Sequence, residues 1–315
     1  MSDEFSRIAQ IRRRLYREST EVRIGIGDDA AVLAPPGAEE VVSVDAAVEG
    51  VHFYRDFAAW PQIGFRSLVA ALSDLAAMGA EPRASLVALI LPESFQDQWL
   101  YELADGIALA AHRYGAPVVG GNLSAGAQLS ITSTVLGRAG GAVLTRSGAR
   151  AGDRIYLTGT VGEAALGLRC LQAGVTTSKA ARFVERWRTP SAKIAEGRRL
   201  LGVASAAIDV SDGVLQDLEQ VCEAAGVGAE INADDLPLGA GAMELAQQIG
   251  DDAIELALSG GEDYELLFTA PGGVAIQGLG TCIGRIAEKP GQIQVRDRQG
   301  RPVHYRKTGY RHWRE

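Results

Sequence analysis

Apolar residues recur at helical spacing between Pro61 and Met78. Ile63, Leu68, Ala71, Leu72, Leu75 and Met78 fall on one side of a period of about 3.6 residues. Gly79 supplies a stop and Pro82 stands just beyond it, so the pattern predicts a helix closing at Met78. The stretches before it, VRIGIG, AAVLAP and EVVSVDAAV, are rich in Val, Ile and Ala and broken by Gly and Pro, which predicts strands. After it, RASLVALILP reads as a buried strand and residues 94–114 as a second helix. PVVGG and QLSITSTVLGRA read as two further strands.

A stretch rich in Gly, Ala and Arg follows, RAGGAVLTRSGARAGD, with no long periodic pattern. Beyond it the alternation resumes. RIYLTG predicts a strand, and a helix starts at Gly162 and runs to Leu171. TPSAKIAEGRRLL predicts a helix with Thr189 and Pro190 as its start signal. SAAIDV is a strand, and SDGVLQDLEQVCEAAG a helix closed by Gly226. ELLFTAP is a strand, and PGQIQVRDRQGRPVHY a terminal hairpin. No short repeat interrupts this order. The expected architecture is α/β (α+β) with two αβ domains: residues 1–138, a linker at 139–153, and residues 154–315.

Composition adds limits. The chain has 315 residues, 47% hydrophobic and 22% charged, as expected of a globular protein with room for a sizeable core. A formal net charge of −8 argues against a nucleic-acid partner. An acidic protein can still take anionic substrates when metal cations stand between the two. Cys170, Cys222 and Cys282 are odd in number and far apart, so neither a zinc knuckle nor a disulfide framework is indicated. The segment MSDEFSRIAQIRRRLYREST lacks an apolar core and reads as a basic surface helix, and no apolar stretch is long enough to span a bilayer. The expectation is a cytoplasmic protein with no membrane partner.

The chemistry-bearing residues are acidic. Asp28-Asp29, Asp45, Asp74, Asp209 with Asp212, and Glu262-Asp263 all stand in apolar or Gly-rich surroundings with no Lys or Arg beside them. On a helix, the neighbours of Asp74 three and four residues away are Ala70, Ala71, Ala77 and Met78, which places it in the buried stripe. A buried ionised carboxylate is costly unless a cation or donors satisfy it. The competing reading is a cap or a satisfied structural Asp, although mid-helix is a poor place for a cap. Asp45 and Asp209 end strands, where sites collect in αβ proteins. Taken singly, each is also an ordinary turn aspartate. Taken together they suit several hard divalent cations, Mg²⁺ above all at a phosphate site. Ser211-Asp212-Gly213 opens a helix that Ser211 could cap, and the same terminus could hold a phosphate or a hydrated metal.

Absent motifs narrow the reaction. No Gly-Lys dipeptide occurs, so there is no Walker-type P-loop; no HExxH occurs; NLSAG lacks the first Gly of a nucleophile elbow. Phosphoryl transfer onto another phosphate needs many carboxylates and little else. A phosphomonoester has its second pKa near ~6, so the acceptor oxygen is largely ionised at neutral pH and needs no general base. Metals align the two polyanions, and positioning supplies the catalysis.

GIGDDAAVL, VDAAVEGVHF, SDLAAMGAEP, LTRSGARAGDRIYLTG, AIDVSDGVLQDL and LSGGEDYELLFT, in that order, resemble the thiamine-monophosphate kinase family from about Phe5 to the C-terminus. That family shares a superfamily of ATP-using enzymes with aminoimidazole ribonucleotide synthetase and selenophosphate synthetase. The resemblance implies transfer of the ATP γ-phosphoryl group to thiamine monophosphate with several Mg²⁺ ions. It implies no catalytic group beyond those that position metal and phosphate. It also implies a homodimer whose N-terminal sheets pair, with an αβ sandwich as the C-terminal domain.

The family pattern puts metal contacts at Asp29, Ser43, Val44 (through its main chain), Asp45, Asp74, Asn122, Asp209 and Asp212. It puts ATP contacts at Gly121, Asn122, Arg146 and Ser211, and the thiamine phosphate near His52, Glu262 and Tyr310. Arg146 can take a phosphate bidentately, and Glu262 and the Tyr310 ring can attract a cationic thiazolium. Three positions depart from the pattern. Gly120-Gly121-Asn122 stands for the usual GGD, Ala46 for a Thr, and Ala71 for an Asn. Asn122 matters most, since its amide oxygen can ligate Mg²⁺ but offsets no charge. A relative acting on another small substrate, or a non-catalytic nucleotide and metal binder, are the alternatives. Selenophosphate synthetases usually carry an N-terminal Cys or selenocysteine and a nearby Lys; here the first of each is Cys170 and Lys179.

Overall fold

The structure is a computed structural model that describes residues 10, 13–15, 20, 22–24, 32–33, 39–141, 143–276, 278–303, 305 and 309. Asp28, Asp29 and Tyr310, together with most of the basic N-terminal segment, lie outside them. The chain forms two compact units, residues 1–75 with 80–141, and residues 76–79 with 142–315.

In the first unit β1 (Val22–Ile24) and β2 (Val32–Leu33) form an antiparallel pair. The main sheet runs β3 (Glu39–Val48), β6 (Ser130–Ala139), β4 (Glu81–Leu91), β5 (Val118–Ala125). β4 and β5 are parallel and the other pairs antiparallel. α1 (Trp60–Ala77) and α2 (Asp97–Tyr114) cross where Gly64 and Gly106 meet the other helix's backbone; a Cβ at Gly106 would lie 1.9 Å from the Pro61 carbonyl oxygen. Gly115, with φ 68°, closes α2 in the left-handed conformation that glycine takes without strain. One face of the sheet is buried: Ser85, Val87 and Leu89 on β4, and Ile131, Ser133 and Val135 on β6. The opposite face is open. Its row of side chains includes Val42 and Val44, 60% and 62% exposed, and Ile90 at 42%.

The second unit is built on a six-stranded sheet. Its order is β12 (Ile293–Arg296), β9 (Gly228–Asn232), β11 (Thr281–Ala287), β7 (Arg154–Leu157), β10 (Leu266–Ala270), β8 (Ala206–Asp209). Successive residues feed opposite faces, as the strand period of two requires. Ile155, Leu157, Ile208 and Leu267 pack in one core, and Tyr156, Ala207, Leu266 and Phe268 in the other. Packed here are α3 (Glu163–Gln172), α4 (Ser178–Arg188), α5 (Ile194–Leu200), α6 (Val214–Ala225), α7 (Ala242–Gln248) and α8 (Ala253–Ser259). The α/β architecture is as the alternating pattern implies.

Two of the elements read from the sequence take a different form. α5 begins four residues past Pro190, and side chains tie down the non-helical segment before it: Arg186 Nη1 donates to Ser191 Oγ at 3.0 Å, and Lys193 pairs with Glu265 at 3.0 Å. The terminal hairpin keeps its turn, with Asp297 N bonded to the Arg301 carbonyl, and among the described residues its second arm pairs through a bridge at Pro302 and the Val303 amide. No helix among the described residues is long and apolar enough to cross a membrane.

Candidate active site

Ser43 and Asp45 lie on the helix-side face of β3, and the alternation sends Val44 to the open face. Asp74, near the end of α1, accepts from Ser43 Oγ at 2.5 Å. The sequence places Asp74 inside the buried stripe; in the structure it is half-buried at the stripe's edge, in line with Ala70 and Met78. Its carboxylate therefore meets β3 rather than the core. Asp45 Oδ1 accepts the Ala46 amide at 2.7 Å. β3 is an edge strand of this sheet among the described residues.

The same register separates Asn122 from this group. Cross-strand partners run Asp45, Ser133, Val87, Gly121 on the helix side and Ala46, Thr132, Ala88, Asn122 on the open side. Gly121 is therefore three strand spacings from Asp45, roughly 14 Å. Asn122 is just as far and on the opposite face. Within one chain, the sheet does not bring Asn122 to Asp45 and Asp74. At the end of β3, His52 Nδ1 accepts the Val48 amide at 3.0 Å.

In the second unit the strand β8 delivers Asp209, 96% buried, and the loop after it carries Ser211 and Asp212. Alongside runs the segment before β10. Glu262 N donates to the Ser211 carbonyl at 2.8 Å and Tyr264 N to the Val210 carbonyl at 2.9 Å. Gly261 permits the approach, since a Cβ there would lie 2.1 Å from the Ser211 oxygen. Glu262 and Tyr264 both hold left-handed φ, 68° and 52°. Such backbone at non-glycine residues costs energy and persists only where surroundings enforce it. Here Asp263, fully buried between them, accepts from Gly162 N at 2.6 Å and Ala164 N at 3.0 Å at the start of α3. The Glu262 side chain is oriented by Trp187, whose Nε1 donates to Oε2 at 2.7 Å.

Two sequence expectations change here. Ser211 does not cap α6. Asp217, one turn inside the helix, reaches back and takes the amides of Asp212 (3.2 Å) and Gly213 (3.0 Å) on Oδ2. Asp263, grouped by sequence with acidic residues awaiting cations, is satisfied by the amides of α3, with the Arg186 guanidinium nearby. The pairings Asp217 with the loop and Trp187 with Glu262 escape sequence reading. An acidic residue in the first turn of α6 was the only hint of the former.

The donors fit Mg²⁺. All are hard oxygens, and buried Asp217 has one carboxylate oxygen, Oδ1, without a hydrogen-bond partner. Burial, then Asp209 and Asp212, push the Asp217 carboxyl up to about 8, which marks a surplus of negative charge around the loop. No described group of three or more His, Cys, Asp or Glu is close enough to hold a metal alone.

Residues 27–139 match the AIR synthase related protein, N-terminal domain, and residues 150–296 the AIR synthase related protein, C-terminal domain. The thiamine-monophosphate kinase of Salmonella typhimurium (strain LT2) is 40% identical, over 98% of this chain and 98% of its own. The chain belongs to the thiamine-monophosphate kinase family. The crystal structure of thiamine-monophosphate kinase from Stenotrophomonas maltophilia K279a superimposes with a TM-score of 0.83 at 36% identity, covering 95% of this chain and 98% of that one. AaThiL complexed with AMPPCP and TMP gives 0.82 at 32% identity, covering 98% and 97%.

Proposed function

We infer that this protein is a thiamine-phosphate kinase, transferring the γ-phosphoryl group of ATP to the phosphate of thiamine monophosphate to give thiamine diphosphate and ADP. The observation that carries this reading is the match over 98% of the chain to a fold solved with both an ATP analogue and TMP. The acceptor phosphate, with a second pKa near ~6, is already ionised and needs no base. The chain's task is therefore to hold two anions in line.

Asp45 and Asp74 in the first unit, and Asp209 and Asp212 in the second, are the carboxylates that hold Mg²⁺ ions, with Asp29, Ser43 and the Val44 main chain as further contacts; Asn122 serves a separate ion or the nucleotide, away from Asp45 and Asp74. When bound, Mg²⁺ offsets phosphate charge and fixes its geometry. Arg146 takes a nucleotide phosphate through its fork of donors. Gly121 and Ser211 serve the nucleotide through small, close-fitting turns. Glu262, held by Trp187, presents a carboxylate to the cationic thiazolium, with Tyr310 and His52 completing the substrate contacts. Incubation with ATP, Mg²⁺ and thiamine monophosphate should yield ADP and thiamine diphosphate in equal amounts. Nucleotide binding without turnover would identify a non-catalytic binder, and turnover only with another acceptor a relative of different specificity.

The working form we propose is a homodimer joined through the open face of β3, β6, β4 and β5. Val42, Val44 and Ile90 expose apolar surface there on a single sheet face, where a second copy of the same face would bury it. Val44→Asp should convert the protein to a monomer by light scattering after size exclusion. A variant that stays dimeric would move the interface elsewhere.

A further inference from the structure

Gln216 and Gln220 stand one turn apart on α6, and each reaches a different residue of the second unit's site. Gln216 Nε2 donates to Asp212 Oδ2 at 2.9 Å. Gln220 Oε1 accepts from Arg146 Nη1 at 2.5 Å. Residues four apart on a helix share a face, so one rigid surface touches both groups. The helix itself is anchored on its other side by Val214, Leu215, Leu218, Val221 and Cys222, all buried in the core.

The chemistry of the two contacts is complementary. A carboxylate needs a donor and a guanidinium an acceptor, and glutamine supplies either. Because the amide is uncharged, it fixes Asp212 without neutralising it and fixes Arg146 without an ion pair that would compete with a phosphate. Arg146 sits exposed on a single 3-10 turn, Arg146–Gly148, and has a long side chain with many rotamers. Its hydrogen bond to Gln220 narrows those rotamers before the nucleotide arrives.

We propose that Gln216 and Gln220 are positioning residues that set the separation between the Asp212 carboxylate and the Arg146 guanidinium, joining the metal-side and phosphate-side contacts to ATP. This rests on the roles of Asp212 and Arg146 in the proposed function. The pair acts through other residues and touches no reacting atom.

The test is steady-state kinetics on the full-length protein carrying Gln220→Ala, Arg146→Ala and both, with Gln220→Met as a second variant that keeps the stem and removes the acceptor. Gln220→Ala should raise KM for ATP about fivefold, with kcat and KM for thiamine monophosphate changed less than about twofold. In the Arg146→Ala background it should add nothing. Gln216→Ala should raise the Mg²⁺ concentration for half-maximal rate by about threefold. Melting curves matching the wild type exclude a folding defect. Multiplicative effects of Gln220→Ala and Arg146→Ala would overturn the positioning role while leaving Arg146 in the site. An unchanged KM for ATP in Arg146→Ala would instead overturn the assignment of Arg146 and the positioning role with it.

Discussion

Asp74→Asn is expected to lower kcat for phosphoryl transfer by about 10²–10³-fold while the protein still folds, the size of loss seen when one preorganised charge-stabilising group is removed. The substitution keeps the side chain's volume and its acceptor oxygen, so the contact from Ser43 Oγ survives. α1 is held by buried Phe65, Leu68, Leu72 and Leu75, none of which is touched. What is lost is one negative charge at the edge of the apolar stripe. An amide cannot offset the charge of Mg²⁺, so the phosphates lose alignment and electrostatic relief together. Measured at saturating substrates, turnover should stay depressed even at high Mg²⁺, with an unchanged melting curve. Near-normal turnover would remove Asp74 from the metal site.

Asp263→Ala is expected to cost about 3 kcal/mol of stability, because two amides at the start of α3 lose their acceptor inside the protein. In a unit of this size that corresponds to a fall in melting temperature of roughly 6–12 °C. The pH dependence has a definite sign. Burial pushes the Asp263 carboxyl up to about 7, against the lowering pull of the Ala164 and Gly162 amides and of Arg186. Between about 4 and about 7 the folded state therefore keeps a proton that the unfolded chain has released. Stability from this group is complete below about 4 and is lost as the pH rises through about 7. Differential melting of wild type and Asp263→Asn across pH 4–8 isolates this contribution. The wild type should lose stability relative to the variant as pH rises, and parallel curves would show that Asp263 titrates normally.

The sequence disclosed features that depend on near neighbours. α1 and its stop were legible because the apolar period, Gly79 and Pro82 are contiguous. The acidic, Gly-rich stretches around Asp212 and Glu262 stood out for the same reason. Features set by distant pairing did not. Asp263 meets the start of α3 about a hundred residues away, and Glu262 meets Trp187 on a helix that sequence reading missed. α4 carries Ala180, Phe183, Val184 and Trp187 at helical spacing, but the many charges between them mask the stripe. The face of Asn122 was hidden for another reason. Gly120 and Gly121 have no side chains to show alternation, so only the register across three strands fixes which way the next residue points.

α1 begins in the first unit, yet its last residues, with Gly79, are counted in the second. Ala76 and Ala77 fill part of the core beside Leu144, Leu200 and Phe268, and Gly197 lets α5 close against the Ala76 carbonyl. The second unit is thus discontinuous in sequence, and a polypeptide that starts at residue 142 would lack a piece of its own interior. The missing piece is small, but it is apolar and central, and its absence would leave an unfilled socket. During synthesis that segment emerges well before the chain that receives it. The second unit therefore cannot complete its core until residues 76–79, made early, meet the chain that begins at residue 142.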